Sequence, residues 1–172
     1  MRMPAGKTRK TVFDIDGTIV DNISAELSSR LRTDTPGARL FSEFVYNVMH
    51  LTPHHSSRVI LRKPEFDDRI VNMLRSAGDG AEVRTRNNFR DLEQIRDALG
   101  DIGIEPLITR VKGSDKLLKE DGSVTLIEDT PLNALISVAK HKGANAIIVP
   151  RPYNLILGRL AAAISRRIRM LD

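Results

Sequence analysis

The chain has 172 residues, 41% of them hydrophobic, which suffices for one domain with its own core and room for a small insertion. The absence of Cys excludes disulfides, thiolate zinc sites and a cysteine nucleophile, and with 4% aromatics and no Trp the core must be aliphatic. A net charge of +5 suits acidic ligands such as phosphate esters or nucleic acid, while no apolar run approaches the ~18 residues of a spanning helix and no apolar signal region follows the basic start, so a cytoplasmic protein is the expectation.

The first element is a buried strand at Thr11 to Phe13 that runs into Asp14-Ile15-Asp16-Gly17-Thr18. In an open parallel sheet, ligands bind beyond the carboxyl ends of strands, and Gly17 lets the chain turn there. Two carboxylates this close repel unless a cation or proton lies between them. The pair therefore predicts a divalent metal, one ionised aspartate and one that carries a proton. Residues 23–31 alternate in a helix-like way, and Thr33 to Gly37 reads as a turn. Leu40, Phe41, Phe44, Val45 and Val48 then mark an amphipathic helix, ended by Pro53. Residues 22–60 thus read as a helical hairpin inserted after the first strand, with Arg30, Arg32, Arg39 and Arg58 as basic candidates toward a charged substrate. His50, His54 and His55 lack a third ligand and read as loop histidines.

Further along, Pro64 opens a helix with Phe66, Ile70, Met73 and Leu74 on its apolar stripe. Residues 81–85 form a second strand, followed by Arg86 and Asn87; Asn88 caps a helix to Leu99. Residues 104–109 read as a third strand, and Pro106 within it argues for an edge. Ser114-Asp115 caps a short helix carrying Lys116. Residues 124–127 are an apolar strand leading into Glu128-Asp129-Thr130-Pro131, with Pro131 in the first turn of a helix. A carboxylate pair at a strand end repeats the pattern of the first strand. Residues 146–149 make the fifth strand, and Pro152-Tyr153-Asn154 turns away from it. Leu157, Leu160, Ala161, Ile164, Ile168 and Leu171 share one arc of a C-terminal helix, whose apolar side suits the sheet or a second subunit of a homodimer.

Asp14-Ile15-Asp16-Gly17-Thr18 resembles the first motif of the haloacid dehalogenase (HAD) superfamily of phosphatases and phosphotransferases, and three further matches follow in order. The resemblance implies Asp14 as nucleophile and Asp16 as general acid and base. It implies Thr85 as the strand-end hydroxyl that binds the phosphoryl oxygen, with Arg86 and Asn87 beside the substrate. It implies Lys116, with Lys112 as runner-up, as the lysine that holds nucleophile and phosphate together. Glu128-Asp129 resembles the fourth motif, which implies Asp129 as a metal ligand with Asp14 and Asp16, Glu128 acting through water, and Asn133 on a metal-bound water or ligand. Hard oxygen donors imply Mg²⁺. Some nucleotidase-like members have a Pro-Tyr-Asn stretch where residues 152–154 stand.

The expected fold is a three-layer, Rossmann-like parallel α/β sheet of about five strands. Residues 1–21 and 61–172 form the core and residues 22–60 a small helical cap. The expected activity is Mg²⁺-dependent hydrolysis of a phosphomonoester, a nucleotide or sugar phosphate, with no membrane partner. A nucleic-acid end-processing phosphatase and a non-catalytic binding protein on the same scaffold are the alternatives.

Overall fold

The computed structural model describes residues 10–21, 35–51, 66–85, 89–111, 116–117 and 123–172. Six strands form one parallel sheet: β1 Lys10–Phe13, β2 Ala81–Thr85, β3 Leu107–Arg110, β4 Val124–Glu128, β5 Ala144–Ile148 and β6 Ile168–Met170. Their spatial order is β3-β2-β1-β4-β5-β6. The chain winds outward from β1 in one direction, returns to β4 at the centre, and winds outward in the other. The reversal between β1 and β4 is the topological switch point, where open α/β sheets bind their ligands.

The helices are α1 Pro36–Leu51, α2 Asp68–Ala77, α3 Phe89–Asp101, α4 Pro131–Lys140 and α5 Leu155–Ile164. Ile70, Leu74, Ile95 and Leu99 from α2 and α3 meet Phe13, Val83 and Ile127 on one side of the sheet. Val138 and Ala161 from α4 and α5 meet Val12, Leu126 and Ile148 on the other. This is the three-layer, Rossmann-like arrangement the alternating pattern predicts, with aliphatic residues of β1, β4 and β5 at the centre of the sheet and a buried charged pair, Glu82 and Arg84, on β2. Among the described residues, no helix is long and apolar enough to cross a membrane.

Several boundaries differ from the sequence reading, each for a local reason. Thr35 Oγ1 accepts from Ala38 N at 3.1 Å, so the predicted turn is a helix cap with Pro36 in the first turn. Helix α2 starts at Asp68 because the Asp67 carboxylate caps it, accepting from Arg69 N at 3.0 Å; Phe66 instead bridges Val20. Pro106 precedes β3, which is indeed an edge strand.

The largest difference is at the C-terminus. The predicted single helix ends at Ile164, and Ile168–Met170 form a sixth strand parallel to β5. The face α5 turns to the sheet is small, not bulky. Gly158 and Ala161 are buried, whereas Leu160 and Ile164 are 45% and 74% exposed. A Cβ on Gly158 would come within 2.6 Å of Met170 Sδ, so glycine is what lets helix and strand approach.

Helix α1 is the one described element of the inserted region, and its orientation reverses the expected one. The apolar stripe faces out, with Phe41 68% and Phe44 50% exposed, while Glu43 and Asn47 are buried. Glu43 Oε2 accepts from Ile156 N and Leu157 N, both at 2.9 Å, in the first turn of α5. A buried carboxylate at a helix N-terminus satisfies orphan donors and meets the positive end of the dipole. Arg39 completes the clasp, donating from Nη2 to Pro152 O at 3.2 Å and from Nε to Glu43 Oε1 at 3.3 Å.

Candidate active site

Strand β1 ends at Phe13, and β4, its neighbour, pairs Ile127 with Phe13. Asp14 N donates to Ile127 O at 2.9 Å, so the ladder carries one step beyond the strand and puts Asp14 level with Glu128 and Asp129. One carboxylate oxygen from each of the three lies within 4.8 Å of the others, and all three residues are buried. Asp16 is half-buried in the turn that follows and does not join that group. Glu128, read from the sequence as an outer residue, stands among the converging carboxylates instead.

Among the described residues, a single cation enters this cluster. Lys116, itself buried, pairs its ammonium with Asp14 and lies 3.2 Å from Glu128 Oε2. Three acids against one lysine leave an excess of negative charge in a place with little water. Burial first, then Glu128, pushes Asp14 up to about 7 despite Lys116. Burial and Asp14 push Asp129 up to about 6, opposed by the Tyr153 hydroxyl and Lys116. Burial also raises Glu128. Lys116 moves the opposite way to a simple buried lysine: burial would lower it, but Asp14 and Glu128 hold it protonated.

Carboxylates crowded together and buried in this way are ionised together only if a cation offsets their charge. The donor set is oxygen only, converging and buried, and it fits a hard divalent ion such as Mg²⁺. Asp14, Asp129 and Glu128 are the residues that would hold it.

The turn after Asp14 is built against Asp129. Gly17 has φ 75°, a left-handed conformation, and a Cβ there would collide with the Asp129 carboxylate and the Tyr153 hydroxyl. Thr18 Oγ1 reaches Asp129 Oδ1 at 3.4 Å, and Tyr153 OH donates to Asp129 Oδ2 at 2.7 Å. Asn154 Nδ2 donates to the Asp129 carbonyl and, at 2.9 Å, to Val149 O, while Asn154 Oδ1 accepts from Arg151 N at 2.8 Å. The buried Arg151 guanidinium donates to Gly17 O at 2.6 Å and Thr18 O at 2.9 Å, and pairs with Asp21 and Asp67 at 3.1 and 3.0 Å. The Pro-Tyr-Asn stretch is thus a bracket joining the two acidic strand ends. Sequence reasoning missed Arg151; the only signal was its place one residue before that stretch.

Tyr46 of α1 also faces the site. Its ring lies 4.5 Å from that of Tyr153 at 55°, and its phenol is raised by burial and then by the charges of Asp129 and Asp16. Thr85 is buried at the end of β2, beside β1. Asn133 is buried on α4, and among the described residues neither of its amide atoms has a hydrogen-bond partner. Ser137, one turn on, is in the same position. Arg86, Asn87, Lys112, Arg30, Arg32, Arg58, His54 and His55 lie outside the described residues, and so does the side chain of His50. Compared with models of known protein families and with curated protein sequences, the chain matches none of them.

Proposed function

We propose that the chain is a Mg²⁺-dependent phosphomonoesterase of the HAD type, acting through an aspartyl-phosphate on Asp14. The observation that carries this reading is the pairing of Asp14, at the end of a central strand, with a buried lysine and with Asp129 from the adjacent strand. A structural salt bridge needs one acid per base; three acids around one lysine make a site short of positive charge. A phosphate ester with its metal supplies an anion and a divalent cation together.

In this mechanism an Asp14 carboxylate oxygen attacks phosphorus while the ester P–O bond breaks, and Asp16 gives its proton to the departing oxygen. Asp16 is less buried than Asp14 and stands outside the tight group, as a proton-transfer residue beside the nucleophile would. It then takes a proton from a water whose oxygen displaces Asp14, releasing inorganic phosphate and restoring the carboxylate. Lys116 offsets charge on the attacking side, and Thr85 donates to a phosphoryl oxygen. The metal, when bound, neutralises phosphoryl charge and lets Asp14 approach an anion.

The substrate class proposed is a small phosphorylated metabolite such as a nucleotide or sugar phosphate. A panel of such esters, with 3′- and 5′-phosphorylated oligonucleotides alongside, separates this from nucleic-acid end processing. Asp14→Asn is expected to abolish hydrolysis of p-nitrophenyl phosphate, and chelation of Mg²⁺ to do the same reversibly. Normal turnover by the Asn variant removes Asp14 from the nucleophile role.

A further inference from the structure

Lys116 sits in neither a helix nor a strand; it and Leu117 form a bend. A lysine has four side-chain torsions, so placing its ammonium on one carboxylate oxygen needs a fixed backbone beneath it. That fixing comes from β2. Arg84, buried on this strand between β3 and β1, donates from Nη1 to Lys116 O at 2.9 Å and to Leu117 O at 2.8 Å. The rest of its guanidinium grips Glu82, Nε to Oε1 and Nη2 to Oε2, each at 2.8 Å. Glu82 is buried too, and Lys10 reaches its Oε2 at 2.6 Å.

We propose that Arg84 is a positioning residue, which sets the stance of Lys116 against Asp14 by holding the main chain of Lys116 and Leu117. Its guanidinium is paired with Glu82, which it shares with Lys10, and it reaches Lys116 through the main-chain carbonyl, so its effect on the ammonium runs chiefly through geometry. The planar fork addresses a carboxylate and two successive carbonyls at once, which an ammonium cannot do. Leu117, buried against Val12 and Leu126, pins the same bend from its side chain. Glu82 is the counterpart that orients the guanidinium, and Lys10 steadies Glu82 from the start of β1. A buried ion pair is often no more stabilising than apolar residues of the same volume, so stability alone does not account for this one. The proposal rests on the reading of Asp14 as the reacting group for its effect on turnover, but not for its effect on Lys116.

The test uses the full chain and two readouts. Amine acetylation by an N-hydroxysuccinimide ester, followed by peptide mass spectrometry, reports the exposure of Lys116, with the exposed Lys142 as reference. In the wild type Lys116 should label at least ~10-fold more slowly than Lys142. Arg84→Met and Arg84→Lys should each speed Lys116 labelling at least ~10-fold and leave Lys142 unchanged. In the same variants kcat for p-nitrophenyl phosphate should fall ~10- to 100-fold with KM little altered, since displacement by about 1 Å suffices for such losses. Should Arg84→Met fail to fold, Arg84→Lys, which keeps the charge and most of the stem, decides alone. Protection of Lys116 in a folded Arg84→Lys protein overturns the proposal, whatever the activity. Faster labelling of Lys116 in the Arg84 variants, where the wild type itself hydrolyses no phosphate ester, upholds the positioning role and refutes the phosphatase reading instead.

Discussion

Asp14→Asn should make the metal-free protein more stable, by an amount that depends on pH. Burial and then Glu128 raise the Asp14 carboxyl from 3.8 to about 7 in the folded chain. Its folded value lies above its unfolded one, so the folded state binds the extra proton. The stability it contributes is complete below 3.8 and is lost as pH rises through about 7. At 1.4 kcal/mol per tenfold, folding around Asp14 then costs about 4 kcal/mol at pH 8, where it is ionised, and about 2 kcal/mol at pH 5, where it must take up a proton. Asparagine keeps the shape and avoids that cost, with Lys116 still facing Glu128. Its advantage should grow by about 2 kcal/mol between pH 5 and pH 8. Asp129 titrates in both proteins, and removing the Asp14 charge also lowers it in the variant, so the difference reports the coupled pair and keeps the same sign. Urea unfolding in EDTA at the two pH values measures it. Saturating Mg²⁺ at pH 8 should reverse the order, because only the wild type offers the full carboxylate set. An advantage equal at both pH values, or an Asn variant less stable at pH 8, refutes the reasoning.

Four other outcomes follow from local contacts. Gly17→Ala forces a side chain into a left-handed residue and onto the Asp129 carboxylate. Conformational strain of about 1–2 kcal/mol and overpacking of about 1–3 kcal/mol should lower the urea midpoint, with a proportionally larger loss of turnover. Tyr153→Phe removes the 2.7 Å bond that holds Asp129 down, so Mg²⁺ binding followed by calorimetry should weaken about tenfold near pH 6 and less at pH 8. Glu43→Ala strands two donors in the first turn of α5 and should cost about 2–4 kcal/mol by thermal unfolding. Arg39→Ala should cost under about 1 kcal/mol, since Arg39 is partly exposed.

What was legible in the sequence was legible because it is local. The aliphatic runs of β1, β2, β4 and β5, and the acids that follow β1 and β4, declare themselves in a few adjacent residues. Pro131 and Pro106 mark their positions because proline restricts its own backbone. The misreadings arise where a distant partner decides. Apolar periodicity in α1 says that the helix has two faces, not which one is buried; a buried Glu43 with two backbone donors outweighs Phe41 and Phe44. Apolar spacing likewise carries the helix reading through Ile168, whereas the open edge of β5 takes that residue into a strand. Arg84 and Arg151 were invisible for the same reason: each acts on backbone carbonyls far along the chain, which leave no side-chain signature.

The turn from Arg151 to Leu157 makes the inserted helix and the acid cluster parts of one structure. Its arginine holds the Gly17 and Thr18 carbonyls, its tyrosine and asparagine hold Asp129, and its last two amides hold Glu43 of α1. Tyr46 stacks on the same tyrosine from α1. Helix α1 therefore cannot swing outward on the weak contacts of a lid. Such a motion would break charge-assisted bonds at a helix N-terminus and unstack the ring whose hydroxyl fixes Asp129. Any displacement of α1 that did occur would be felt at Asp129, one of the three converging carboxylates, because Tyr46 lies against the Tyr153 ring whose hydroxyl holds it.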